Sequence, residues 1–274
     1  LWGLKEDNDA VRGEGCFDMV MQKMDMLREA GVFFGASITA TSKSCDEVTS
    51  DEFMKMLSDK GCLWSWFFHY VPVGDSPDVS LVPNAKQRQQ ILKAVYNARN
   101  TLPMMTVDFW GDGPEMMGCI AGGRQYVHVN PNGDVEPCTF VHLATHNVKN
   151  CTLTEALAAP FMKAIRDGIP YEDGNMLRPC MIVDRPDVLR KYYQEFKPYE
   201  THENAAAYLT DPKITSEIDK YSEEVKEILD EDWRNNLWMT IFPLEGEYYV
   251  DRDNFCSKEK PKHKCSGHCA GCGK

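Results

Sequence analysis

The stretch "CIAGGRQYVHVNPNGDVEPC", residues 119–138, sets a cysteine at each end of an alternating segment that surrounds Asn132-Gly133. Asn-Gly between alternating apolar residues is a strong hairpin signal, and a two-residue turn on that pair places Cys138 opposite Val127. Ala121-Gly122-Gly123 lets the chain fold back after Cys119, because glycine adopts backbone angles that other residues avoid. The spacing C-x13-G-x4-C, with Gly133 as its glycine, therefore turns both sulfurs toward one site. Cys180, just after Pro179 and ahead of a helix expected over 185–197, is the third candidate. Three or four converging thiolates suit a [4Fe-4S] cluster or zinc. The competing reading makes these cysteines small buried hydrophobes.

Upstream of the hairpin the period changes. Phe17, Val20, Met21, Met24 and Leu27 recur at three- and four-residue steps, which predicts a helix from Cys16 to Ala30 closed by Gly31. A strand follows at 32–40. A helix is expected after a capping box of Thr49 and Glu52, with Gly61 at its end. Then come a strand at 63–73, a helix through "KQRQQILKAVYNARN" and a strand at 104–110. This alternation indicates βαβ units and a parallel sheet, and the near-continuous apolar run at 63–73 fits a sheet covered on both faces. The methionines at 19, 21, 24 and 26 read as core. Downstream of the hairpin, helices are expected at 153–166 and 185–197, and the segment from about 198 to 250 is polar and largely helical.

The 274 residues, with 43% hydrophobic and 26% charged side chains, suffice for a full core and one or two domains. A net charge of -12 argues against a nucleic-acid partner, which demands clustered Lys and Arg. No apolar run is long enough to span a membrane, and "LWGLKEDNDA" has no signal-peptide pattern. A cytoplasmic location is the expectation, and there eleven cysteines are ligands or buried hydrophobes rather than disulfides. The end of the chain, "HKCSGHCAGCGK", carries Cys265, Cys269 and Cys272 as C-x3-C-x2-C. With Cys256 they form a four-thiolate set, His263 and His268 being spare ligands, for an iron–sulfur cluster or zinc.

The run from Cys119 through Asn147, Leu153 and Glu155 to Asp167 resembles the start of the auxiliary-cluster domain, called SPASM or in its shorter form twitch, of radical S-adenosylmethionine (SAM) enzymes. Upstream, "DAVRGEGCFDMVMQKMDMLREAGVFFGASIT" is similar to the D-x-x-R-G, helix, strand sequence in the second half of their barrels, and "FFHYVPVG" to their sixth strand. The resemblance covers about residues 3–195. It implies the C-terminal half of a (β/α)6 partial TIM barrel at 1–112, a small β-hairpin/α twitch-like domain at 113–197 and a helical, cysteine-rich tail at 198–274. It further implies SAM and [4Fe-4S] cofactors, a 5′-deoxyadenosyl radical that abstracts hydrogen from a peptide or small-molecule substrate, and an electron donor such as flavodoxin or ferredoxin.

By the same resemblance, Tyr70 and Pro72 stand near the adenine of SAM. Arg12 is placed to grip its carboxylate, unless it only pairs with Asp9 on the surface, and Ser37 to line the pocket. His69 reads as a core residue, and Asp108 and Asp112 as substrate-facing or turn-shaping. The pattern departs from the family in three ways. No C-x3-C-x2-C precedes Leu1; Leu1-Trp2-Gly3 stands where a Ser-x-(Asp/Glu)-Gly turn is usual; and the further SPASM cysteines are absent between 139 and 200, which favours a twitch-type single cluster. The chain thus reads as a C-terminal portion that does not cleave SAM by itself, with the tail as a separate metal site. The alternative is a non-catalytic iron–sulfur or zinc protein acting in electron transfer or partner recognition.

Overall fold

The computed structural model describes residues 1–74 and 77–235. Two helices open the chain, α1 (Lys5–Arg12) and α2 (Cys16–Glu29). The first has no clear apolar period and was not expected. Asp9 explains the corner between them: its carboxylate accepts from the N–H groups of Gly15 and Phe17 at 2.9 and 2.7 Å, satisfying two of the donors that a helix start leaves open. On α2 only Met24 is buried, while Met19 and Met26 stand about half exposed, so the methionine stripe is not a core stripe.

The sheet follows as β1 (Gly35–Ala40), α3 (Cys45–Val48), α4 (Asp51–Asp59), β2 (Trp64–His69), α5 (Ala85–Thr101) and β3 (Met105–Asp108), with strand order β1-β2-β3 and both pairings parallel. The α4 cap is Ser50, whose side chain accepts from Phe53 N at 3.1 Å, not Thr49 as expected. Thr49 instead closes the short α3, its hydroxyl donating to Cys45 O. A full capping box of Asn84 and Gln87 starts α5. Ile38 and Phe67 pack with Phe53 and Leu57 of α4 and Ile91 and Val95 of α5 as one core.

Register sets Ser37 beside Trp66 and Trp66 beside Val107 on the opposite face. There the expectation of a sheet covered on both faces fails. Trp66 and Phe68 are half-buried under Phe109 and Phe140, whereas Trp64 at 46% and Met105 at 65% remain exposed. Cover on this side reaches only the C-terminal ends of the strands. On the outer edge of β1, Leu1 takes a strand position, its N–H bonding to Ser37 O at 2.6 Å and its carbonyl accepting from Thr39 N at 2.8 Å.

Beyond β3 lie α6 (Gly113–Met116), β4 (His128–Val129), β5 (Val135–Glu136), β6 (Leu143–Ala144), α7 (Leu153–Ala158), α8 (Pro160–Asp167), α9 (Pro186–Phe196), β7 (Tyr199–Glu200), α10 (Ala207–Thr210) and α11 (Pro212–Arg234). Pro160 breaks the helix expected at 153–166 into α7 and α8. β4 and β5 form the hairpin and β6 pairs β7, both antiparallel. Val141, Leu143, Phe161, Ile182, Leu189 and Ile218 share one core, so α11 packs with the hairpin unit.

The hairpin turn differs from expectation by one residue. The pairs His128–Glu136 and Val129–Val135 leave Pro131, Asn132 and Gly133 between Asn130 and Asp134, a three-residue loop. Asn130 Oδ1 accepts from Asn132 N and Asp134 N, Pro131 fixes its own φ, and Gly133 takes φ +91°, the left-handed position that such loops require. Continued along the strands, this register places Cys138 opposite Tyr126 rather than Val127.

Candidate functional site

Cys119, Cys138 and Cys180 line one cavity of about 440 Å³ between the sheet and the hairpin unit. Three local structures bring them there. Gly122 and Gly123, both left-handed at φ +70° and +77°, reverse the chain after Cys119, and Gly122 N bonds to Pro137 O at 2.8 Å beside Cys138. A Cβ on Gly122 would lie 2.6 Å from Ile165 Cγ2, so the turn also packs too closely for a side chain. Cys180 heads a tight turn whose carbonyl accepts from Asp184 N and Arg185 N, while its own N–H donates to Asp184 Oδ2 at 3.0 Å.

All three thiols are free; Cys138 is buried and the other two half-buried. Burial, and then the neighbouring Cys138, pushes the Cys119 thiol up to about 12. Burial and then Asp184 raise Cys180, with Cys119 contributing, and burial raises Cys138. The influence of Cys138 on Cys119, and of Cys119 on Cys180, reflects sulfurs that share one low-dielectric space. Among the described residues no group of three or more His, Cys, Asp or Glu closes on a point that would hold a single metal ion.

The cavity walls are aromatic. Trp66 stacks on Phe68 at 5.1 Å, Phe68 on Phe109 at 5.2 Å, and Phe109 meets Tyr126 edge-on at 6.3 Å. Tyr126 carries its hydroxyl into the interior beside Cys138; burial, followed by Cys138 and Cys119, raises its pKa. Sequence reasoning passed over this tyrosine because its role depends on the hairpin register.

A charged end completes the cavity. Arg99 holds both oxygens of Asp112 at 2.6–2.7 Å, yet burial, with Asp108 and Glu115 nearby, pushes Asp112 up to about 6. His69 is buried as expected, stacked 4.8 Å from Trp110 with Nε2 3.1 Å from Asp108 Oδ1. In Asp108 the upward push of burial is outweighed by His69, and its pKa is lowered.

Of the residues expected near SAM, Arg12 and Tyr70 meet through Trp2. The Arg12 guanidinium lies 5.9 Å over the Trp2 ring, and Trp2 meets Tyr70 edge-on at 6.3 Å. Asp9 is occupied by backbone N–H groups, so the simple Asp9–Arg12 ion pair is not what is found. Trp2 is set by Asn8 Oδ1, which accepts from its N–H at 3.2 Å, and Gly3 by Glu47, whose Oε2 would lie 2.2 Å from any Cβ there. Ser37 stands exposed on the open sheet face and Pro72 is buried past the end of β2. Trp2 was the residue missed, since only the fold brings it between Arg12 and Tyr70. Cys256, Cys265, Cys269 and Cys272 lie outside the described residues.

No family model matches the chain. Curated proteins do. It is 25% identical over 174 residues to the AdoMet-dependent heme synthase of Nitratidesulfovibrio vulgaris, covering 54% of this chain and 47% of that one. It is 31% identical over 145 residues to the mycofactocin maturase of Mycolicibacterium smegmatis, covering 49% and 36%. The chain is similar to radical SAM enzymes. It spans less than half the length of these radical SAM relatives. The structure of native anSMEcpe with bound AdoMet and Cp18Cys peptide superposes with a TM-score of 0.51 at 14% identity, over 84% of this chain and 68% of that one, and so shares the α/β fold with its parallel sheet. No helix among the described residues is long and apolar enough to cross a membrane.

Proposed function

We propose that the chain is the C-terminal portion of a radical SAM enzyme. In this reading 1–112 is the second half of a partial barrel, 113–197 a twitch-type domain holding one auxiliary [4Fe-4S] cluster, and 198–274 a helical extension. The observation that carries it is the convergence of Cys119, Cys138 and Cys180 on one cavity. A mononuclear ion needs donors about 2.3 Å from one centre, whereas a cubane spreads its thiolates around its corners, so free thiols lining a roomy apolar cavity fit the cluster better.

Around SAM, Arg12 would hold the carboxylate through its two-pronged guanidinium, Trp2 and Tyr70 would offer ring faces to the adenine, and Ser37 a hydroxyl from the open face, with Pro72 shaping the strand end. When bound, SAM and its own cluster supply a 5′-deoxyadenosyl radical for hydrogen abstraction. The part of this chain is to orient the reactants, to exclude water with Trp66, Phe109 and Phe140, and to set the charge around the cavity through Arg99 and Asp112. A peptide is the proposed substrate, its apolar side chain meeting the aromatic wall; the anSMEcpe structure, of the same fold, holds a peptide. A flavodoxin or ferredoxin is the proposed electron source.

The test extends the encoding reading frame upstream of Leu1. The extended protein, reduced with dithionite, is expected to release 5′-deoxyadenosine from SAM, and Cys138→Ala to keep that release while losing the modified peptide. An extended protein without any 5′-deoxyadenosine release would refute the proposal.

A further inference from the structure

His142, just before β6, and His202, just after β7, meet across the antiparallel ladder: Thr201 N donates to His142 O, and the two imidazole centroids are 4.7 Å apart at 63°. Neither belongs to the cysteine cavity. His142 Nε2 lies 3.0 Å from the Thr139 carbonyl and His202 Nδ1 2.8 Å from the Glu203 carbonyl. A carbonyl oxygen only accepts, so each of these ring nitrogens carries the proton and donates. The remaining two nitrogens, His142 Nδ1 and His202 Nε2, are then both lone-pair acceptors, and they face one another at 2.7 Å. Two lone pairs do not hold that distance by themselves; a cation belongs between them.

We infer that His142 and His202 form a surface zinc site with two protein ligands. Metal-bound histidines characteristically donate their other ring N–H to a carbonyl, which fixes tautomer and ring plane, and both histidines here do so. Imidazole suits zinc, and two Zn–N bonds of about 2.0–2.1 Å at a tetrahedral angle separate the nitrogens by about 3.3 Å, so the rings must open by about 0.6 Å from their 2.7 Å approach. Both residues are partly exposed, which leaves water to complete the coordination. The charged groups on the packed strands are acidic: Glu136, which accepts from Thr201 Oγ1, and Glu200, paired across from Leu143. They favour a divalent cation over none. Such an ion would clip β6 to β7 and so fasten the hairpin unit to the segment that leads into α10 and α11. This inference does not depend on the radical SAM reading.

The test is zinc titration of the full chain, followed by calorimetry, in four forms: unaltered, His142→Ala, His202→Gln and the double variant. Cysteine sites are common to all four and cancel in the differences. Each single variant is expected to bind one zinc fewer than the unaltered chain, and the double variant no fewer than the singles. Equal zinc uptake in all four overturns the site and leaves a proton shared between the rings as the cation. Should a variant fail to fold, the unaltered chain still decides: zinc in excess of the cysteine sites should protect His142 and His202 from diethyl pyrocarbonate, mapped by peptide mass spectrometry, and unchanged labelling would refute the site.

Discussion

Gly111 stands where a Cβ would come 2.3 Å from Asp108 Oδ2 and 2.8 Å from Leu92 Cδ1, at the back of the His69–Asp108 pair. Gly111→Ala should therefore cost about 1–3 kcal/mol as overpacking, read from the urea midpoint. Asp112 gives a pH signature. Its pKa of about 6 lies above the ordinary 3.8, so between those values the native state keeps a proton that the unfolded chain has released. The stability it contributes is full below pH 3.8 and lost as pH rises toward 6. Melting temperatures should show Asp112→Asn gaining on the unaltered chain across that window and the gap flattening above it; a gap that is constant from pH 4 to 7 would contradict the assignment. Cys119 and Cys138 were legible in the sequence because spacing alone pairs them around a turn. Tyr126 and Trp2 were not, since each matters through partners that only the fold supplies.

The elements around the cysteines are tied to the sheet by one buried ion pair. Arg88 of α5 grips Asp184, donates to Leu177 O at 2.9 Å, and Asp184 in turn holds the Cys180 N–H. Arg88→Met leaves that carboxylate buried and unpaired, and should cost about 3–5 kcal/mol in chemical denaturation; adding Asp184→Leu should recover much of the loss. The α7 cap is a smaller lever. Thr152 accepts from Glu155 N while Glu155 Oε2 accepts from Thr152 N, and Thr152→Ala should cost about 1 kcal/mol in the same assay. Period and caps made the βα order and this capping box legible. Boundaries were less so: Val32, Phe33 and Phe34 extend the apolar run but precede the β1 ladder. The hairpin loop was misread by a residue because Asn130, not the Asn-Gly pair alone, organises the turn through its side chain.

At the scale of the molecule, β1 has only Leu1 on its outer edge among the described residues, and Trp64 and Met105 are exposed on the adjoining face. An open apolar edge invites pairing, so the 274-residue chain should self-associate with concentration in light scattering, and a monodisperse monomer at every concentration would contradict this. The sheet and the hairpin unit meet at the cysteine cavity, and the account turns on what fills it. The decisive measurement is anaerobic reconstitution with iron and sulfide of the unaltered chain and of Cys119→Ala, Cys138→Ala and Cys180→Ala, with iron counted and the dithionite-reduced forms examined by EPR. The tail cysteines are common to all four proteins and drop out of the comparison. The account predicts that each substitution abolishes or alters the same reduced-cluster signal, with a loss of up to about four irons per chain. Iron content and spectra unchanged in all three variants would contradict it.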